Sequence, residues 1–327
     1  MEKEIGGYLQ LEEFSGKDYY DTLYKVNLGR TALLWLVQSR HCKKILLPYF
    51  LCSSVINVCS VNSIEVEFYN LDDTLTPIIS PSVLTEEGTL KDDIWLYLVN
   101  YYGQLSNQKI LALQKQYKQI IVDNTQSFYQ PPLEGIDTLY SCRKFFGVSD
   151  GAYMSTDAQL LPLEAIDCSH HRMAHILGRY EENASAYYQE MLDTAATYDN
   201  MGIRKMSKLT HNLLKAIDYE TVRLKRVNNY IQLSTLLPSD NQFTGIIPDG
   251  PFAYPYYHAN GILLRKKLAS RKIFIPTNWS NVIKSMPQHT REYQWAANIL
   301  PLPCDQRYGK DEMKYLAEVI LEEEKTL

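Results

Sequence analysis

Short apolar runs alternate with helix-forming segments through the first half of the chain. The predicted strands, read from brief apolar or period-two runs, are Lys44 to Tyr49, Ile64 to Tyr69, Ile94 to Val99 and Gln119 to Val122. The predicted helices between or before them are Ala32 to Gln38, Leu51 to Ser60 and Ser106 to Lys118. This alternation predicts an α/β fold with a mostly parallel central sheet.

The pattern changes in the second half of the chain. Two short strands, Thr138 to Tyr140 and Ala152 to Thr156, precede a long, charged and helical stretch from about residue 161 to 236. Pro238 to Pro255 is rich in Pro, Gly, Asp and Ser, which indicates a passage between domains. We therefore predict a large domain over residues 1–236 and a smaller C-terminal α+β domain over residues 237–327, which ends in an acidic helix.

Composition excludes the extreme classes. Of 327 residues, 45% are hydrophobic and 22% are charged, and the net charge of -5 creates no basic field for nucleic acid. The longest apolar runs are too short to span a bilayer and the N-terminus lacks an apolar signal region, so we expect a cytoplasmic protein without a membrane partner. Six irregularly spaced cysteines predict reduced thiols, not disulfides.

Polar residues follow three of the predicted strands, in Asn100 to Gly103, Asp123 to Ser127 and Ser141 to Lys144. Parallel sheets bind ligands at the carboxyl ends of their strands. An acid, Asp123, and an amine, Lys144, at neighbouring strand ends suit pyridoxal phosphate. The amine would form a Schiff base, and the acid would keep the pyridine nitrogen protonated.

A possible phosphate site opens the first helix. Gly29, Arg30 and Thr31 precede its apolar residues, and the first turn of a helix has unpaired N–H groups and a partial positive charge. The alternative is an ordinary helix cap. The turn alone does not separate the two interpretations.

Two other motifs favour ordinary structure over chemistry. Gly147 to Gly151 matches the G-x-S-x-G nucleophile elbow, but a predicted strand follows it where the elbow requires a helix, so we predict a turn. His171 and His175 have the spacing of a zinc pair, but Arg172 stands where H-E-x-x-H has glutamate. With no third ligand evident beyond the nearby Cys168, we predict no metal site.

Together these residues resemble the DegT-like sugar aminotransferases, a family of fold type I pyridoxal phosphate enzymes. The motifs that carry the resemblance are Gly29-Arg30-Thr31-Ala32, Leu46-Leu47-Pro48, Val122-Asp123-Asn124-Thr125-Gln126, Ser141-Cys142-Arg143-Lys144 with Asp150-Gly151, and Arg204-Lys205-Met206-Ser207. The resemblance covers most of the chain and implies a large domain with a mostly parallel sheet and a small C-terminal domain.

The resemblance also implies roles for single residues. Lys144 would hold pyridoxal 5'-phosphate as the internal aldimine and act as acid and base. Asp123 would pair with the pyridine nitrogen, and Gln126 would lie near the phenolic oxygen of the ring. Ser141 and the turn from Gly29 to Thr31 would hold the phosphate.

Three positions depart from the family, and the first is Arg30, which interrupts the usual small-residue turn. Cys52 lies where the family places an aromatic ring against the cofactor, so the stacking residue is expected among Tyr49, Phe50 and Tyr102. Ile203 replaces the asparagine that in the family reaches the phosphate of the partner subunit.

The implied function is a homodimeric aminotransferase that moves an amino group, from glutamate, to a nucleotide-linked keto-sugar in polysaccharide or deoxysugar biosynthesis. The departures motivate an alternative, which is a non-catalytic or regulatory relative of cell-surface polysaccharide pathways that keeps the fold.

Overall fold

The computed structural model describes residues 5–327, and residues 1–4 of the predicted large domain lie outside the described residues. The central sheet is built from β1 (Tyr24–Val26), β2 (Lys44–Pro48), β3 (Glu65–Leu71), β4 (Pro77–Ile78), β5 (Ile94–Val99), β6 (Ile120–Asp123), β7 (Asp137–Ser141) and β8 (Ala152–Ser155). Its order is β1-β8-β7-β6-β5-β2-β3-β4. The pairs from β7 through β6, β5 and β2 to β3 are parallel, and the outer pairs are antiparallel. The predicted α/β fold is confirmed.

Eleven α-helices, five short 3₁₀ turns and a two-stranded sheet complete the described part of the chain. The helices are α1 (Gly29–Ser39), α2 (Ser53–Val61), α3 (Asn107–Tyr117), α4 (Ala174–Glu181), α5 (Tyr188–Thr197), α6 (Lys208–Leu214), α7 (Tyr219–Leu236), α8 (Gly261–Ser270), α9 (Ser280–Ser285), α10 (Arg291–Asn298) and α11 (Lys310–Glu324). The small sheet pairs β9 (Tyr254–Tyr257) with β10 (Ile299–Leu302).

Both faces of the central sheet are buried at β2, β6 and β7, as expected of parallel strands, whereas most residues of β3 are exposed or half-buried. On β2, Ile45 and Leu47 face the almost entirely buried helix α1, while Leu46 faces the opposite core, which includes Ile110 and Leu113 of α3. Because successive strand residues point to opposite faces, a continuous apolar run such as that of β2 contributes to both cores. This packing fixes where the strand ends, and therefore the polar residues, are placed.

A third core joins α7, α8 and α11 to the small sheet. It contains Tyr230 and Leu233 of α7, which precede residue 237, so the boundary between residues 236 and 237 stays a prediction. The expected helical stretch begins later than predicted. Residues 161–169 are not helical, and Ile166 instead forms a parallel bridge with Lys205. Pro162 near the start of this stretch disfavours a helix there.

The six cysteines are all free, as predicted. Within residues 5–327, no helix combines the length and apolar character needed to cross a membrane.

Candidate active site

Asp123 is the last residue of β6, and its carboxylate is buried. Oδ2 accepts a hydrogen bond from the Tyr97 hydroxyl at 2.8 Å, and Oδ1 accepts one from the Thr125 N–H at 2.8 Å. Burial beside this carboxylate raises the pKa of Tyr97 well above its ordinary value, so the phenol stays protonated and acts as a donor. Two donors, one from within β5 and one from the segment that follows β6, therefore orient the acid.

Lys144 ends a single 3₁₀ turn, Cys142–Lys144, directly after β7. Its Nζ donates to Thr125 Oγ1 at 2.9 Å and lies 5.8 Å from the centre of the Phe252 ring. Because β6 and β7 are adjacent and parallel, their carboxyl ends meet at one edge of the sheet. The structure brings the predicted acid and amine together there, with Thr125 in contact with both.

The start of α1 reaches the same place. A Cβ added to Gly29 would lie 3.6 Å from Thr125 Cγ2, so the first turn of α1 lies beside the residue that contacts Lys144. The Thr31 hydroxyl is used within the helix cap, where it donates to Asn27 Oδ1 at 2.6 Å and accepts from the Leu28 N–H at 3.2 Å. Arg30 forms an ion pair with Asp199. The groups of this turn left to meet an anion are its backbone N–H groups.

Gln126 and Ser141 lie beside the same two strand ends, Gln126 three residues after β6 and Ser141 as the last residue of β7. Gln126 is buried, and its Oε1 accepts from the Tyr102 N–H at 2.9 Å, which leaves the amide nitrogen as the donor of this side chain. Ser141 ends β7 half-buried, and its hydroxyl has no hydrogen-bond partner within residues 5–327. Both lie where the sequence predicts polar ligands.

The aromatic candidates for stacking are already packed to different degrees. Phe50 lies 4.3 Å from the Trp279 ring centre, and Tyr102 is buried, with its ring against Phe243 and its hydroxyl accepting from Asn278 at 3.1 Å. Tyr49 stacks on Phe68 at 5.1 Å and is the only one of the three that is exposed. Cys52 is half-buried, with Sγ 3.0 Å from the Ser54 hydroxyl.

Comparison with known proteins decides the fold. No protein-family model matches the chain, and no curated protein sequence matches it significantly. A DegT DnrJ EryC1 StrS aminotransferase from Brucella abortus is 14% identical over 91% of this chain and 84% of its own, with a TM-score of 0.59. DesI, solved in the presence of its TDP-sugar product, is 12% identical over 91% and 79%, with a TM-score of 0.60. NtdA from Bacillus subtilis, solved with bound cofactor PMP, is 14% identical over 92% and 72%, with a TM-score of 0.63.

The chain has the DegT-like aminotransferase fold. The resemblance drawn from the short motifs is thus confirmed for the architecture.

Within this DegT-like fold, the segment after Lys144 is a turn and not a nucleophile elbow, as predicted. Strand β8 follows Gly151 directly, and Ser149 Oγ donates to the Ser169 carbonyl at 3.3 Å. Gly151 has φ of 109°, a conformation that glycine adopts without strain, and its N–H donates to the Asn27 carbonyl at 2.5 Å. The turn therefore ties the lysine segment to the start of α1.

Sequence reasoning missed three residues of the site, Thr125, Tyr97 and Phe252. Thr125 lies inside the Asp123 to Gln126 motif, so its position two residues after the acid was the available signal. Tyr97 could be found only with the pairing of β5 and β6 in hand, because that pairing places Tyr97 opposite Ile121 and near Asp123. Phe252 comes from a distant loop, and no local pattern indicates it.

Proposed function

We propose that this protein is a pyridoxal phosphate-dependent aminotransferase that moves an amino group from glutamate to a nucleotide-linked keto-sugar. The observation that carries the proposal is the contact of Thr125 with both Asp123 and Lys144 at the carboxyl edge of the sheet. An acid and an amine bridged in this way are the two groups that the cofactor requires.

The buried carboxylate supports the fit of the cofactor. Within residues 5–327, Asp123 has no Lys, Arg or His nitrogen within 4.0 Å, whereas the buried Asp137 pairs with Arg40 at 2.8 Å. Asp150 also lacks an ion pair, but it accepts three hydrogen bonds, against two for Asp123. A buried carboxylate is stable when a cation neutralises it, and a protonated pyridine nitrogen would be that cation.

The residues of the candidate site would have different roles in the reaction. Bound pyridoxal phosphate supplies an electron sink for the carbon that loses a proton. Tyr97 and the Thr125 N–H hold the Asp123 carboxylate in one orientation, and the Thr125 hydroxyl directs Nζ of Lys144. Lys144, which has no ion pair within residues 5–327, would hold and move the proton at Nζ.

The phosphate would be held by the first turn of α1. Its backbone N–H groups have no acceptors inside the helix, and Gly29 keeps the approach beside Thr125 open. Ser141, whose hydroxyl has no partner in the described part of the chain, would add a donor. This assignment gives the phosphate to backbone groups and Ser141, and not to the Thr31 hydroxyl.

The substrate part of the proposal rests on the shared fold. DesI was solved in the presence of its TDP-sugar product and NtdA with bound PMP, and both cover more than 90% of this chain. On that basis we infer a nucleotide-linked sugar acceptor, a cytoplasmic homodimer and a place in polysaccharide or deoxysugar biosynthesis.

Cofactor binding tests the site directly. Mixing the purified protein with pyridoxal phosphate should produce a visible absorbance band, and borohydride should fix the cofactor mass on Lys144. Lys144→Ala should abolish the band, whereas Lys314→Ala, on the exposed face of α11, should leave it intact. A band that persists in Lys144→Ala would show that the site is assigned wrongly.

Glutamate then separates the two functions. Conversion of the band to that of the aminated cofactor supports the aminotransferase. A bound cofactor that glutamate, and other amino donors, leave unchanged would favour the non-catalytic relative. We retain this second candidate because Phe50 and Tyr102, two of the three residues expected to stack on the cofactor, are already packed against other aromatic rings.

A further inference from the structure

Three metal-ligating side chains lie together on an exposed turn outside the candidate active site. The Sγ of Cys168 and the ring nitrogens of His170 and His171 are all within 4.8 Å of one another. Cys168 Sγ lies 3.3 Å from His170 Nδ1, and the two imidazole rings are 5.4 Å apart, edge to face. A thiol and two imidazoles form a ligand set typical of zinc.

The structure changes which histidines belong together. The sequence spacing pairs His171 with His175, but His171 lies in the 3₁₀ turn His170–Arg172 and His175 lies in α4. His175 Nδ1 is buried and has no hydrogen-bond partner within residues 5–327. The ligand atom of His171 instead lies within 4.8 Å of those of Cys168 and His170, so these two residues complete a set of three.

Hydrogen bonds made by buried side chains hold this turn in place. Between the ligands, the buried Ser169 contacts Ser207 with the two hydroxyl oxygens 2.7 Å apart, and its carbonyl accepts from Ser149. Arg172 donates to the Cys168 carbonyl at 3.0 Å. Because the turn is already anchored, the binding of a metal ion to its side chains would cost little further conformational entropy.

The nearest positive charge is neutralised. Arg172 Nη1 lies 3.3 Å from His171 Nε2, but Nη2 of the same guanidinium pairs with the buried Asp167 at 2.6 Å. A metal-bound thiolate at Cys168 would add a further negative charge to this neighbourhood. The cationic Arg172 is therefore no barrier to a divalent ion.

We propose that Cys168, His170 and His171 bind one Zn²⁺ ion, with a water molecule in the fourth position. Zinc bonds of about 2.3 Å to sulfur and about 2.0 Å to nitrogen, in tetrahedral geometry, separate these ligand atoms by roughly 3.5 Å. The Cys168 to His170 pair already has this separation. The absence of a carboxylate from the three makes the site unsuited to Mg²⁺ or Ca²⁺, which prefer oxygen ligands.

Cys168 also provides a direct readout. All six cysteines of the chain lie within the described residues, and Cys168 alone is exposed. Thiol reagents should therefore modify Cys168 first in the folded protein, and a zinc-bound thiolate should react more slowly.

The test uses the full purified chain without added pyridoxal phosphate. Zinc alone should slow alkylation of Cys168 by about tenfold or more, with one equivalent sufficient and a chelator reversing the effect. Co²⁺ in place of zinc should show a thiolate charge-transfer band. Alkylation at an unchanged rate in the presence of zinc would overturn the proposal. This measurement uses the unaltered protein, so it does not depend on whether a variant folds.

Variants separate a built site from adventitious binding. Cys168→Ser and His170→Gln should each weaken zinc binding by about 100-fold. His175→Gln, on the neighbouring helix, is the matched control and should bind zinc as the unaltered protein does. Equal losses in His170→Gln and His175→Gln, or unchanged affinity in Cys168→Ser, would show adventitious binding only.

Discussion

Thr125 contacts three parts of the candidate site. Its N–H donates to Asp123, its hydroxyl accepts from Lys144, and its methyl group lies beside Gly29 at the start of α1. Thr125→Val removes the hydroxyl contact alone, whereas Thr125→Ser removes the methyl contact alone. A substitution at Thr125 can therefore test whether its hydroxyl orients the Lys144 amine, without removing the backbone N–H that donates to Asp123.

Thr125→Val keeps the shape of the side chain and removes its hydroxyl. Given the proposed function, glutamate-driven conversion of the cofactor should slow by about 10- to 100-fold, since hydrogen bonds to charged groups contribute roughly 1.5–3 kcal/mol. Thr125→Ser keeps the hydroxyl and should retain most of the rate. Stopped-flow absorbance measures both, and equal rates in the two variants would contradict a role for the hydroxyl.

His175 should contribute to the pH dependence of stability. Burial lowers its pKa, the positive charge of Arg143 lowers it further, and Glu190 opposes the shift. Since the folded-state pKa of His175 is below the unfolded value of about 6.5, its contribution to the free energy of unfolding is fully present above that pH. It is lost as the pH falls below about 6.5, because the unfolded chain takes up the proton first.

Urea unfolding at about pH 7.5 and about pH 5.5 measures this contribution. We expect the fall in the free energy of unfolding between the two to be smaller in His175→Gln than in the unaltered protein. A fall of the same size in both would show that other groups control the acid response.

At the scale of elements, the lysine segment is fixed by its attachment to α6. Asp150 is fully buried and accepts hydrogen bonds from the Ser207 N–H and the Ser207 hydroxyl, both at 2.8 Å, and from the Thr210 hydroxyl. It therefore caps the start of α6 and holds the turn between Lys144 and β8 against that helix. The placement of the amine depends on a helix about 60 residues further along the chain.

Asp150→Asn should loosen this attachment. One amide oxygen replaces two carboxylate oxygens, and the negative charge at the helix N-terminus is lost, so we expect a loss of about 1–3 kcal/mol in the free energy of unfolding. Denaturant titration measures the loss. The exposed Asp240 provides a matched substitution, and Asp240→Asn should change stability by less than about 0.5 kcal/mol. Similar values for the two variants would exclude the capping role.

At the scale of the whole molecule, one buried arginine connects the central sheet to the C-terminal part. Arg226 of α7 donates to the Phe145 carbonyl at 3.1 Å, to the Pro251 carbonyl at 2.9 Å and to Gln306 Oε1 at 2.9 Å. Its guanidinium also lies 4.6 Å from the centre of the Phe145 ring. Since Phe145 follows Lys144 directly, this connection also supports the candidate site.

Arg226→Met should destabilise the whole fold. It leaves buried acceptors without a donor, so we expect a loss of about 2–5 kcal/mol in the free energy of unfolding, measured by denaturant titration. Arg223→Met, one turn earlier on α7, removes only the surface pairs with Glu220 and Asp249 and should lose less than about 1 kcal/mol. Comparable losses in the two variants would indicate that the connection carries little stability.

The sequence by itself predicted the α/β architecture and named the candidate residues of the site. Alternating apolar runs were enough to predict β2, β3, β5, β6 and the helices α1 to α3, because each is decided by local periodicity. The short strands β1 and β4 carry no such pattern and were not predicted. Short polar motifs after the strands were enough to indicate Asp123 and Lys144. The turn after Lys144 was also predictable, since glycine and a following strand exclude a nucleophile elbow.

The tertiary structure decided which residues act together. Strand order places Tyr97 and Thr125 against Asp123, a distant helix secures the Lys144 turn through Asp150, and Cys168 joins His170 and His171 instead of His175. The overall fold brings these residues together. The burial of the hydrophobic cores supplies the free energy that stabilises this fold. No local pattern encodes the contacts of Tyr97 with Asp123 and of Asp150 with Ser207, because these residues lie far apart in the sequence. For Thr125 and for the Cys168 turn, the fold decides only which neighbouring side chains come together.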